Sequence, residues 1–167
     1  MSRLETLAEN AEINEFEKEW DAALNSGMPI LELHNALKKL SAVDEESALL
    51  FAESAAEKLD SEDSGKALEF AMKAGELFDS SDVLSRVLAE ALRDNYLMFE
   101  PLEVFISASG ILEPKKSLKK SLSRLRELLR YKKDSYVLHK EFGPGRILRV
   151  SRSSFTVDFQ RSRDRDM

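Results

Sequence analysis

From Leu4 to Leu129 apolar residues return every three or four positions, and beyond Asp134 they return every two. A period near 3.6 lines up one face of a helix, and a period of two lines up one face of a strand. The change of period therefore limits the chain to a helical body followed by a small β unit.

Cap signals divide the helical part. Ser2 with Glu5 makes a capping-box pattern, and Leu4, Leu7, Ala11, Phe16, Trp20 and Leu24 follow one stripe until Gly27 ends it. Pro29 suits the first turn of the next helix, which carries Ile30, Leu33, Leu37 and Leu40 and ends near Ser41. Asp44 caps a third with Leu49, Ala52, Ala56 and Leu59. A fourth follows the Ser61–Ser64 cluster with Ala67, Leu68, Ala71, Ala74 and Phe78, and a fifth follows Ser81 or Asp82 with Leu84, Val87, Leu88, Ala91 and Leu92. A short sixth runs from Pro101 to Ser109, with Gly110 as its stop. Short polar connections between such helices predict a bundle or a short solenoid-like array.

Pro114 opens a helix of different character. Leu118, Leu122, Leu125 and Leu129 form a narrow seam, and Glu127 is the one acidic residue among Lys115, Lys116, Lys119, Lys120, Arg124, Arg126, Arg130, Lys132 and Lys133. After Asp134 come three strand candidates: Tyr136 to Leu138, Arg146 to Val150, and Phe155 to Phe159. Gly143-Pro144-Gly145 reads as the turn between the first two, presenting Phe142 at the rim of the sheet. The expected fold is mainly α, six to seven helices followed by a small antiparallel β module. Its divisions are an acidic helical domain over 1–113, a basic linking helix over 114–134 and the β module over 135–167.

Charge follows the same division. Residues 1 to 114 hold 9 basic and 25 acidic side chains, a balance of -16, and the other 53 hold 16 basic and 6 acidic, a balance of +10; the two make the net -6. Such asymmetry suits a basic end that meets a polyanion or an acidic protein surface. The density of like charge on Lys115, Lys116, Lys119, Lys120 and Arg124 repels itself unless a partner, or the acidic body of the same molecule, neutralises it.

The remaining chemistry is sparse. Without cysteine there is no disulfide or thiolate, and two histidines, His34 and His139, are too few for a structural zinc site. P-loop, nucleophile-elbow, dinucleotide and zinc-protease patterns do not occur. The expectation is a protein that is not an enzyme, with no cofactor, no metal and no small-molecule substrate. No apolar run reaches the ~20 residues of a membrane span and the start lacks a secretory h-region, so no membrane contact and a cytoplasmic location are expected.

One stretch carries a resemblance. In YVLHKEFGPGRILRVSRSSFTVDF, His139, Phe142, Gly143, Gly145 and Ile147, followed by Val157-Asp158-Phe159, resemble the pattern of small Tudor-like or SH3-like barrels in bacterial transcription and repair proteins. With the helices before it, the order is similar to the amino-terminal region of long GreA-type transcription elongation factors. That resemblance implies a partial barrel, RNA polymerase as a partner, and nucleic acid as a second contact through the basic helix. It also implies protein contact at Phe142 and at the Arg146–Val150 strand as an exposed edge. The coiled-coil finger with which such factors promote transcript cleavage has no counterpart in these 167 residues, so the resemblance implies binding without cleavage. The alternative is an α-helical scaffold or adaptor with no nucleic-acid role.

Overall fold

The structure is a computed structural model that describes residues 2–97, 99, 101–113, 116–150 and 154–159. Among them are eight helices: α1 (Arg3–Glu9), α2 (Ile13–Asn25), α3 (Ile30–Ser41), α4 (Glu45–Glu62), α5 (Ser64–Ala74), α6 (Asp82–Asn95), α7 (Leu102–Ser109) and α8 (Leu118–Leu128). Three strands follow, β1 (Tyr136–His139), β2 (Gly143–Val150) and β3 (Phe155–Phe159). The fold is mainly helical with a small antiparallel sheet, as the change of period predicts.

Where one helix was expected between Ser2 and Gly27, the chain makes two. Ala11 adopts a left-handed φ of 55°, and two bonds close the end of α1: the Ala11 N–H donates to the Ala8 carbonyl and the Glu12 N–H to the Leu7 carbonyl. This is the Schellman arrangement with alanine where glycine is usual. Gly27 closes α2 the same way at φ 71°, with Met28 N–H donating to the Ala23 carbonyl.

The caps read from sequence hold their places. Side chains of Ser2, Asp44 and Ser81 accept from the backbone N–H groups of Glu5, Ser47 and Leu84. The Ser61–Ser64 cluster, expected to precede the next helix, is instead divided, with α4 running on to Glu62 and Asp63 capping α5 by accepting from the N–H groups of Gly65 and Lys66. Packing centres on α4, which touches α2, α3, α5 and α6. Its buried residues are Ala48, Ala52, Ala55, Ala56 and Leu59, and α5 answers with Ala67, Ala71 and Ala74. Small side chains let these helices approach closely, while Phe16, Trp20, Phe70 and Phe78 fill the larger gaps. Phe16 and Trp20 stack with ring centres 5.5 Å apart and both lean on Phe51, a core arrangement.

The sheet is ordered β1-β2-β3, antiparallel throughout, and is not closed into a barrel. Its inner face contributes Ile147 and Val150 to the same core cluster as the helices. The entry corner is Asp134, left-handed at φ 72°. Its N–H donates to the Ile147 carbonyl, and the Ile147 N–H donates back to Ser135. No described helix is long and apolar enough to cross a membrane.

Candidate partner-binding surface

The basic segment forms a shorter helix than Pro114 to Lys133. Pro114 and Lys115 lie outside the described residues, α8 starts after Ser117, and Leu129 caps its end. Leu118, Leu122 and Leu125 are buried. The docking is close: a Cβ on Gly75, just past α5, would run into Leu122 Cδ1 and stand 3.5 Å from Leu118 Cδ2. Polar contacts fix the same joint. The Leu118 N–H donates to the Asp79 carbonyl at 2.7 Å, and Arg126 donates to the Met72 carbonyl at 2.9 Å while pairing with Glu76.

The cations therefore divide into two groups. Lys116 pairs with Glu113 at 2.7 Å and Lys119 approaches Asp79 at 3.5 Å, so both are partly neutralised within the molecule. Lys120 and Arg124, one turn apart, are exposed and form no ion pair among the described residues. Farther on, Lys132 Nζ stands 5.9 Å from the centre of the Tyr96 ring, a cation–π contact. The sequence flagged the cations but not their acidic counterparts. Glu76 and Asp79 flank Phe78 in the α5–α6 connection, and only the fold brings them under α8.

At the sheet, three expectations change. The turn between β1 and β2 is Lys140 to Phe142, because His139 already pairs with Gly143. Gly143 does take the positive φ, 74°, that a side chain disfavours, but it opens β2. Gly145 lies inside β2 and has no turn role: a Cβ there would stand 2.5 Å from Phe159 Cδ1 and 2.6 Å from Val157 Cγ1. Glycine is needed at 143 for conformation and at 145 for space. Finally, the Arg146–Val150 strand is not an edge. β2 is bonded on both sides and the edges are β1 and β3.

Phe142 is half in solvent, 51% exposed; it stacks on His139 with ring centres 4.7 Å apart and meets Phe159 in a tilted contact at 5.4 Å. Arg146 is exposed and donates to the Asp134 carboxylate at 2.5 Å, so its charge steadies the corner that leads into the sheet. The same outer face carries Tyr136, directly across from Arg146, and Leu138, across from Pro144, 77% and 82% exposed.

Neither histidine sits in a catalytic arrangement among the described residues. His139 Nδ1 accepts from the N–H groups of Glu141 and Phe142 at 3.2 and 3.4 Å, which ties down the hairpin turn. His34, on α3, keeps Nε2 buried without a hydrogen bond, and its pKa is lowered mainly by burial. No group of three or more His, Asp or Glu side chains among the described residues could hold a metal ion. No family model, curated protein or solved structure matches the chain.

Proposed function

We propose that the chain is a non-catalytic interaction protein of bacterial transcription, meeting RNA polymerase or nucleic acid close to it through the basic face of α8. The observation that carries the binding surface is a juxtaposition. The leucine seam and Arg126 hold α8 on the acidic body, so the helix is a rigid mount, and Lys120 and Arg124 project from it unpaired among the described residues. Fixed cations lose less conformational freedom on meeting a polyanion than cations on a flexible tail. The partner's identity rests on the resemblance over Tyr136 to Met167. The scaffold or adaptor reading draws on Lys119 with Asp79 and Arg126 with Glu76, which use part of the basic charge inside the molecule.

Purified bacterial RNA polymerase, duplex DNA and single-stranded DNA, each titrated at low salt, separate these readings. Binding to polymerase or DNA is expected, weakening steeply as salt rises. Lys120→Glu with Arg124→Glu is expected to weaken it by about tenfold or more without moving the thermal melt, since both residues are exposed. Absence of binding in all three arms leaves the scaffold reading.

A further inference from the structure

A groove of about 550 Å³ opens where the α2–α3 turn meets the end of α4 and the start of α5. Its lining is apolar at Leu24, Met28, Ile30, Leu33 and Leu59, and Leu31 stands there 56% exposed. Gly27 has nothing within 4 Å of where a Cβ would stand, so the mouth is open at the turn. This is a concave apolar site on the helical body, formed by elements other than α8 and the sheet.

Charge says what kind of occupant it suits. Glu62, the last residue of α4, and Glu69, on α5, both line the groove, and neither forms an ion pair among the described residues. Lys66 is the one cation in the lining. The stretches 21–33 and 58–69 that build the groove hold six acidic and two basic residues, within a body whose balance is -16. Unpaired carboxylates beside an apolar floor repel an acidic ligand and draw a cationic one, while the floor rewards burial of an apolar side chain. The volume is of the size that admits a few side chains, not a folded domain.

We infer that this groove receives an extended basic segment of another protein, in which one large apolar anchor is flanked by Lys or Arg. The anchor enters between Leu24, Leu31 and Leu59, and the flanking cations meet Glu62 and Glu69. The proposal is independent of the basic face of α8 and gives the molecule two contacts of opposite charge preference.

Random peptides of about twelve residues displayed on phage, selected against the full chain, test it, with the selected peptide then titrated by fluorescence anisotropy. Peptides bearing one aromatic or long aliphatic residue among Lys and Arg are expected. Their affinity should fall about tenfold for Leu31→Ser and for Glu62→Gln with Glu69→Gln. The same charge change at Glu45→Gln with Glu46→Gln lies about 25 Å away along α4 and should alter affinity less than about twofold. All five residues are exposed, and unchanged thermal melts are expected for the three variants. Failure to enrich any peptide, enrichment of acidic peptides, or equal loss from both glutamate pairs would overturn the inference, the last marking only general attraction to an acidic body. Sedimentation velocity supplies the remaining arm: self-association below about 100 µM that Leu31→Ser abolishes would seat a second copy in the groove and displace the peptide reading.

Discussion

Gly143 and Gly145 look equivalent in the sequence and serve different ends. At Gly143 the difficulty for any side chain is the backbone angle, so Gly143→Ala should cost about 1 kcal/mol. At Gly145 it is collision with Val157 and Phe159, so Gly145→Ala should cost about 1–3 kcal/mol, and Gly145→Val more. The two can be told apart by a compensating change. Phe159→Leu should recover part of the loss at Gly145 and none of the loss at Gly143, measured as shifts of the denaturation midpoint followed through Phe142 or Phe155 side-chain resonances. No recovery in the Gly145 pair would contradict the steric account. The sequence could flag both glycines because φ and space leave the same trace in it.

At the scale of elements, the helix boundaries that were legible are those with a side-chain cap or a glycine stop. Ser2, Asp44, Ser81, Gly27 and Gly110 each place an end within a residue or two. The α1–α2 boundary was not legible, because Ala11 is a strong helix former that here takes the left-handed position, and its neighbours keep the apolar stripe running. Ala11→Gly should therefore stabilise the protein by about 1 kcal/mol, seen as a higher denaturant midpoint with an unchanged slope. A lower midpoint would mean that the extra freedom glycine gives the unfolded chain outweighs the relieved strain. The strand assignments follow the alternation at Phe155, Val157 and Phe159, but which strand is central does not, since strand order depends on contacts that a period of two does not encode. The binding surface was legible to the same degree: Lys120 and Arg124 were visible as cations, whereas Glu76, Asp79 and Asp134, which decide which neighbouring cations stay free, become relevant only through the fold.

For the whole molecule, stability should depend on pH through His34. Burial holds its pKa below the ordinary 6.5; Glu76 opposes the shift, Lys73 and Lys38 add to it, and a hydrogen bond with Asn35 opposes it. A histidine with a depressed folded pKa stabilises the neutral state: its contribution is fully present above about pH 6.5 and is lost as pH falls through the lower folded value. Wild type should therefore lose stability between pH 7 and pH 5 faster than His34→Leu, which cannot titrate there. Asp60 is shifted upward by burial and by Glu90 and Asp94, so it acts in the opposite direction at lower pH. The difference between the two proteins is the informative quantity. Parallel curves would show that the His34 site relaxes on protonation.

The joint between α8 and the turn after α5 also settles how load crosses the molecule. Along the chain, α6 and α7 separate Asp79 from Leu118, yet those two residues are bonded directly and Arg126 reaches back to Met72. A partner pulling on the basic helix thus draws on the end of α5 and, through it, on the alanine-packed centre at α4. α7 also packs on α8, and α6 packs on α4, α5 and α7, so a second route runs beside this one to the same centre, and the surface that grips a partner is coupled to the core that resists unfolding by both.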